Sequence, residues 1–345
     1  MELVAWRLAC AWAANGHVVR VYTTPGGTPS EVPDRVAVTE LAGLPGKYSR
    51  TWLRATRDVD LSDVDVVLGV SAGARYLLRS GARRPIVMQA HGTSVDEIIT
   101  KWSLRTPRAA IGSLRNFVGL LQDLRNYPRY TAVVGIGPSV SESIDRYPRW
   151  ASPKRVVTIP NGIPDSTVKN DGMPRNGFLY VGRLHREKGV DLLIRSMGDV
   201  DSVLDVVGDG PERARLEHLA SELRLGERVK FHGALPPPEI ATMMSRTAVV
   251  VVPSRRREGL PLVVMEALAA GAHVVVSATV RATLGDDAPG GVLTWGGDRA
   301  SLASVMTSAA KMEGRVVLPA EYDLRNVARR YELLFDELRG ESRGG

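Results

Sequence analysis

Short apolar, β-branched runs alternate with stretches of helical spacing along most of the chain. The runs are predicted strands: Val18–Tyr22, Val64–Val70, Ile86–Met88, Val133–Ile136, Val156–Ile159, Phe178–Val181, Val203–Val207, Val229–Phe231, Val249–Val252 and His273–Ser277. Predicted helices between them include Val190–Met197, Glu212–Leu223 and Pro238–Ser245. Near-continuous apolar strands separated by helices are typical of parallel sheets that are buried on both faces. The pattern therefore predicts an α/β fold.

The segment Pro160–Pro174 divides this pattern into two halves. It is rich in Pro, Gly, Asn and Asp, which are residues of turns and linkers. The halves are predicted to be two Rossmann-like domains, residues 1–162 and 163–320. Because ligands of such sheets bind at the carboxyl ends of the strands, two domains that face each other would form a cleft.

The first half opens with a helix. Glu2–Ala14 has helical spacing, Gly16 is a plausible C-cap, and Val18–Tyr22 is the first strand. A Rossmann-like domain ordinarily opens with a strand. We therefore expect an N-terminal domain that lacks its first strand or is built differently.

Composition indicates a globular protein of a reducing compartment. Of the 345 residues, 44% are apolar and 24% are charged, and Cys10 is the only cysteine, so no intrachain disulfide can form. The sequence shows no signal-peptide layout and no apolar run of the roughly 18 residues that a membrane span needs. These features predict a cytoplasmic protein.

The net charge of +7 lies entirely in the first half, where residues 1–165 hold 21 basic and 14 acidic side chains. This asymmetry fits an acidic partner, and it fits an Arg-rich solvated surface equally well. Residues 101–129 interleave apolar side chains with one acid, Asp123, and six basic residues: Lys101, Arg105, Arg108, Arg115, Arg125 and Arg129. A basic amphipathic helix of this kind is typical of peripheral contact with the inner face of an anionic membrane, whereas the competing interpretation is a helix packed on its own domain.

Two carboxylates eight residues apart carry the most specific chemistry. The predicted strand Val249–Val252 is followed by a loop that contains Glu258, and then by a helix that contains Glu266. Gly259, Leu260, Pro261 and Leu262 lie between them, at the start of that helix. A helix N-terminus binds phosphate, and an ionised carboxylate accepts several hydroxyl hydrogen bonds. This combination predicts a sugar nucleotide.

A second loop supplies positive charge. Arg183 and Lys188 follow the strand Phe178–Val181, where they can converge on one diphosphate. Glycine turns at Gly208 and Gly233 end the next two strands. Taken singly, each of these features is also what a solvated loop or an ordinary turn shows.

In their order and spacing, these motifs resemble the retaining family-4 glycosyltransferases, which have the GT-B fold of two Rossmann-like domains facing across a cleft. The matching segments in the second half are Ile159–Ile163, Gly182–Gly189, Gly208–Pro211, Phe231–Gly233, Pro253–Ser254 and Glu258–Gly271. Looser matches in the first half are Leu8–Ala9, Asn15–Val18, Tyr22–Thr23, His91–Gly92 and Ser139–Glu142.

The resemblance implies a role for each of these residues. Arg183 and Lys188 would neutralise the donor diphosphate, Glu258 would bind hydroxyls of the donor sugar, and Glu266 would bind those of the ribose. Backbone N–H groups from Gly259 to Leu262 would cap the distal phosphate, and His91 would lie near the anomeric carbon. The implied catalytic set is His91, Glu258, Arg183 and Lys188, and the donor set adds Gly208, Gly233, Gly259, Leu260, Pro261, Leu262 and Glu266.

The implied reaction is transfer from a nucleoside-diphosphate (NDP) sugar with retention at the anomeric carbon. The resemblance implies a reaction without a metal ion and without a cofactor besides the donor. The acceptor is left open among a glycan, a lipid-linked acceptor and a small molecule, and nucleic acid is not an expected partner. The final helical stretch, Arg325–Leu338, is expected to cross back onto the first domain (321–340) or to stay with the second.

Departures from the family pattern keep two other interpretations open. The family's acceptor-side glycine loop and first strand are absent, the Gly-Gly and Glu expected after Ser277 are missing, and His273 stands where the family commonly has proline. A non-catalytic sugar-nucleotide-binding subunit is therefore one alternative. Another GT-B enzyme, such as an epimerase or a phosphorylase, is the second.

Overall fold

The computed structural model describes residues 2–79, 84–96, 98, 107–164, 174–255, 260–285 and 288–343. Their strands are β1 Val19–Thr23, β2 Val36–Glu40, β3 Val67–Val70, β4 Ile86–Ala90, β5 Ala132–Gly135, β6 Val156–Thr158, β7 Asn176–Val181, β8 Leu204–Val207, β9 Val229–Gly233, β10 Thr247–Val252, β11 His273–Ser277 and β12 Val292–Trp295. Their α-helices are α1 Glu2–Ala14, α2 Arg50–Ala55, α3 Pro107–Asn126, α4 Pro138–Asp145, α5 Val190–Ser196, α6 Arg213–Glu222, α7 Pro237–Arg246, α8 Leu262–Ala269, α9 Ala278–Arg281, α10 Arg299–Ala310 and α11 Leu324–Arg343.

The chain divides into two compact units. Unit 1 comprises Met1–Pro164 together with Glu321–Gly345, and unit 2 comprises Asp165–Ala320. Every described strand pairs in parallel with its sheet neighbours, so the α/β prediction is confirmed. None of the described helices is long and apolar enough to cross a membrane.

Unit 2 is built on one six-stranded sheet in the order β12-β11-β10-β7-β8-β9. Its first strand, β7, therefore lies at the centre, between β8 and β10. The core includes Phe178 of β7, Leu193 of α5 and Val249 of β10, each no more than 2% exposed. Because β10 and β11 are buried along their whole length, they form the continuous apolar runs that sequence predicts well.

Unit 1 has two separate sheets, β1-β2 and β3-β4-β5-β6. In unit 2 the central strand β7 lies between β8 and β10. When β1 of unit 1 is compared with β8, and β3 with β10, no described strand of unit 1 takes the place of β7. A cavity of about 1040 Å³ lies there, and β1, β3, Trp6 of α1 and Trp52 of α2 line it. A five-residue strand occupies about 800 Å³, from a rise of about 3.3 Å per residue and spacings of about 4.8 and 10 Å. The expectation that unit 1 lacks its first strand agrees with this gap.

The terminal helix α11 packs on α1 within unit 1. The Trp12 ring contacts the rings of Tyr331 (5.8 Å between centroids) and Phe335 (5.5 Å), and its Nε1–H donates to the Ala328 carbonyl (3.2 Å). Tyr331 and Ala328 are fully buried. These contacts anchor the end of the chain to its first helix.

Two described strands were not predicted, and one strand boundary differs from the prediction by more than two residues. β2 and β12 were not predicted, because each is an edge strand with partly exposed positions rather than a continuous apolar run. β3 starts at Val67 instead of Val64, since the Val64 N–H is bonded to the Leu61 carbonyl in a turn (3.1 Å). Hydrophobic runs predict buried strands more reliably than edges.

Candidate functional site

Glycines mark the carboxyl edge of the unit 2 sheet. Gly182, Gly208 and Gly233 follow or end β7, β8 and β9, with φ values of 157°, 126° and 73°. The Gly182 N–H donates to the Val207 carbonyl (3.0 Å), and the Gly208 N–H donates to the Gly233 carbonyl (2.7 Å). A Cβ on Gly208 would lie 2.0 Å from the Gly182 oxygen, so this close approach requires glycine.

Arg183 and Lys188 lie in the loop that leaves β7. Arg183 is exposed, and its carbonyl accepts the Tyr180 hydroxyl (3.0 Å). Lys188 is half-buried at the end of a short 3₁₀ turn. Gly189 then adopts a left-handed conformation (φ 71°), in which a Cβ would lie 2.2 Å from the Pro253 carbonyl oxygen. This glycine lets the loop pack against the end of β10.

The segment after β10 is bonded to the same loop. The Arg255 N–H donates to the Glu187 carbonyl (2.8 Å), and the Arg255 guanidinium donates to the Asp191 carboxylate (2.9 Å). The two loops that the sequence singled out are therefore held side by side in unit 2. Glu258 and Gly259 lie outside the described residues.

Helix α8 begins where that segment ends. Pro261 is its N-cap residue and Leu262 its first helical residue, while Leu260 before them is buried. Proline offers no side-chain acceptor, so the cap makes no side-chain hydrogen bond to the first turn. Glu266 is half-buried in the second turn. Among the described residues the predicted order is observed, with strand β10, the non-helical residues 253–255 and helix α8.

His91 follows β4 in unit 1, at the end of a chain of hydrogen bonds that runs through the buried side chains of Tyr331 and Gln89. The Gln89 side-chain amide donates to the Tyr331 hydroxyl (2.9 Å), and its carbonyl oxygen lies 3.1 Å from His91 Nε2. Gln89 and Tyr331 are both fully buried. Since an amide oxygen only accepts, Nε2 carries the ring proton and Nδ1 is left as an acceptor. Burial lowers the pKa of His91 to about 4, so the imidazole is neutral at neutral pH.

Sequence reasoning missed Gln89, Tyr331 and Arg255. Gln89 sits inside a strand of otherwise apolar residues, and a polar side chain in such a position is a signal that could have been read. Tyr331 lies 242 residues further along the chain, so nothing local in the sequence connects it with His91. Arg255 looked like one of three consecutive basic loop residues.

Comparison with known proteins finds a family match for each half of the chain. Residues 1–167 match the family model described as Glycosyltransferase Family 4, and residues 165–311 match the model described as Glycosyl transferases group 1. The chain is 23% identical to the sucrose-phosphate synthase structure from Thermosynechococcus elongatus, with a TM-score of 0.71 over 97% of this chain and 90% of that one. This likeness shows the shared GT-B fold.

Two curated relatives are named as sugar transferases. A GDP-mannose-dependent alpha-(1-6)-phosphatidylinositol monomannoside mannosyltransferase from Mycolicibacterium smegmatis is 29% identical over 64% of this chain and 60% of its own length. A D-inositol 3-phosphate glycosyltransferase from Catenulispora acidiphila is 29% identical over 85% of this chain and 72% of its own. With two consecutive family models covering residues 1–311, the chain belongs to the family-4 glycosyltransferases, the glycosyl transferases of group 1.

Proposed function

We propose that the protein transfers a sugar from an NDP-sugar to an acceptor hydroxyl, with retention at the anomeric carbon and without a metal ion. The observation that carries this proposal is the pairing of two loops in unit 2. The Gly182–Gly189 loop bears Arg183 and Lys188, and it is bonded to the segment that leads into α8. Cationic side chains beside a helix N-terminus form an environment suited to a diphosphate.

The proposed chemistry requires charge stabilisation and alignment. The acceptor oxygen forms a bond to the anomeric carbon on the face from which the diphosphate oxygen departs, and a departing phosphate oxygen takes the acceptor's proton. Arg183 and Lys188 offset the charge that develops on the leaving group, which is the work that a metal ion does in other enzymes. Neutral His91 supplies an uncharged hydrogen-bond acceptor through Nδ1.

A non-catalytic sugar-nucleotide-binding subunit is the second candidate. The cavity of about 1040 Å³ between the two sheets of unit 1 favours it, because the described residues on the acceptor side surround a gap rather than a packed core. This subunit would bind the donor through unit 2 and release no product.

Donor binding and turnover distinguish the two candidates. UDP-, GDP-, ADP- and dTDP-sugars are tested by thermal shift, and the donor that stabilises the protein is then incubated with D-inositol 3-phosphate or phosphatidylinositol monomannoside, the acceptors named for the relatives. We expect a product whose anomeric configuration by NMR equals that of the donor, at an unchanged rate in EDTA. An inverted product contradicts retention, and recovery of lost activity by Mn²⁺ contradicts metal independence. Binding without turnover of either acceptor favours the subunit.

We also propose that α3 contacts an anionic membrane, which would suit a lipid-borne acceptor. Phe117, Val118 and Leu121 of α3 are 47%, 54% and 65% exposed and share one face. Arg125 lies one turn further along, so apolar and basic groups adjoin, as in interfacial helices. Residues 101–106 of the predicted basic segment, and the side chains of 107–116, lie outside the described residues.

Vesicle co-sedimentation tests this contact. We expect the protein to bind vesicles of 30% phosphatidylserine in phosphatidylcholine at low salt, and to dissociate at 0.5 M NaCl as screening grows. The double variant Phe117→Ser, Leu121→Ser should lose binding, whereas Val317→Ser, which alters a 78% exposed residue of unit 2, should keep it. Equal binding by both variants, or none by the unchanged protein, contradicts the proposal.

A further inference from the structure

A polar cavity lies at the amino edge of the unit 2 sheet, opposite the glycine-lined edge. Its volume is about 320 Å³, and its polar lining consists of Arg175, His273 and Arg315. His273 is the first residue of β11, and Arg175 immediately precedes β7. The length of β11 places the cavity about 16 Å from the carboxyl edge, at about 3.3 Å per residue. It is therefore separate from the proposed donor site.

His273 is buried in this wall and is 8% exposed. Among the described residues, neither its Nδ1 nor its Nε2 has a hydrogen-bond partner. A buried polar group without a partner is costly, and native proteins retain few of them. Such a group facing a cavity is a place where a ligand atom would be bound favourably.

Two arginines meet beside the histidine. A Cβ built on Gly271 would lie 2.9 Å from Arg175 Nη2 and 2.5 Å from Arg315 Cγ, so both side chains cross over this glycine. Arg175 donates to the Ala270 carbonyl (2.5 Å) and the Thr247 carbonyl (3.3 Å). These bonds hold the guanidinium in place without neutralising it.

The described lining contains no carboxylate to balance this charge. Burial and the nearby Arg315 lower the pKa of Arg175, and burial and Arg175 lower the pKa of His273. Both pKa values are lowered, as expected for positive charges that are partly desolvated and not neutralised. Arginine forks and an imidazole are the side chains that proteins use to bind phosphate and carboxylate groups.

We propose that this cavity binds a small oxyanion, with a phosphate group as its preferred ligand. Arg315, which is exposed, would fold over the anion, Arg175 would supply fixed charge, and His273 would donate a ring N–H. A bound dianion would favour protonated His273. The site does not depend on the proposed transferase activity, because donor and anion would occupy opposite edges of the sheet.

NMR of the full chain tests the site directly. Inorganic phosphate is titrated at constant ionic strength, set with KCl, while the His273 ring resonances are followed. We expect a saturable shift, a rise in the pKa of His273, and a higher thermal midpoint. A parallel titration with glucose 6-phosphate shows whether the site takes a free anion or a phosphorylated metabolite, since the ligand with the lower Kd is the preferred source.

Variants separate this site from the donor edge. Arg315→Gln should weaken phosphate binding at least about tenfold, from the loss of a charge-assisted contact. Arg195→Gln, an exposed arginine of α5, and Lys188→Ala at the donor edge should leave the His273 titration unchanged. The absence of a saturable His273 shift up to 50 mM phosphate overturns the proposal, and so does an undiminished shift in Arg315→Gln.

Discussion

Replacing Lys188 by alanine is expected to lower kcat/KM for the NDP-sugar by about 10²–10³-fold, the usual effect of losing one preorganised group that stabilises transition-state charge. Lys188 immediately precedes Gly189, whose backbone packs against Pro253, so the loop backbone is positioned before the donor binds. Because the negative charge on the leaving diphosphate grows as the glycosidic bond breaks, most of the loss should appear in kcat.

Steady-state kinetics with the stabilising donor measure this effect. Lys230→Ala, which removes an exposed lysine of β9, is the matched control and should keep activity within about twofold. Both variants should keep the thermal midpoint of the unchanged protein, because Lys188 is a half-buried loop residue outside the hydrophobic core. If Lys188→Ala retains kcat/KM within threefold, Lys188 does not stabilise the leaving group.

Replacing Gln89 by glutamate is expected to make transfer strongly pH-dependent. In the unchanged protein burial keeps the pKa of His91 near 4, so the ring stays neutral and activity should be independent of His91 protonation from pH 5.5 to 8. A carboxylate in the position of the Gln89 carbonyl oxygen, 3.1 Å from Nε2, would raise that pKa by about 1–3 units. Activity of the variant should then fall about tenfold between pH 8 and pH 5.5, as the ring gains its second proton.

NMR titration of His91 and a pH–rate profile give two independent readouts of this effect. Gln122→Glu, at an exposed glutamine bonded to Arg75, is the control and should leave both unchanged. Tyr331→Phe should keep the aromatic packing on Trp12 but release the Gln89 amide, so that both ring tautomers of His91 become populated. A His91 that titrates near 6.5 in the unchanged protein contradicts this account.

The lowered pKa of His91 also makes the stability of the fold depend on pH. Folding lowers the pKa of His91 from its ordinary 6.5, so between pH 6.5 and 4 the unfolded chain binds the proton more readily. The contribution of His91 to the free energy of unfolding therefore decreases as pH falls through this window, by at most about 3 kcal/mol.

The carboxyl edge of the unit 2 sheet, where the donor is proposed to bind, shows which features a local sequence pattern predicts. The strand, loop and helix around Val249–Val252 and α8 were predicted in the correct order, because a continuous apolar run, a Pro-containing loop and a helical repeat are all recorded within about 20 residues. The glycines at 182, 208 and 233 mark turns for the same local reason. What their spacing could not show is the bond from Arg255 to the Glu187 carbonyl, which joins two loops 68 residues apart.

The first half of the chain contains features that the sequence pattern did not predict. Sequence predicted a unit without its first strand, whereas the strand-sized cavity between β1 and β3 became visible only once both sheets were placed. The edge strand β2 was missed because only one of its five residues, Val36, is buried, so it forms no continuous apolar run.

The sequence by itself determined the order of most strands and helices, the glycine turns and the family motifs, since these depend on neighbouring residues and on side-chain type. Only the tertiary structure decided which tautomer His91 holds and what surrounds His273. Each depends on hydrogen bonds and charges between residues far apart in the chain, such as Gln89 with Tyr331 and Arg175 with Arg315. The energy of such contacts depends on distance and burial, which no spacing in a sequence records.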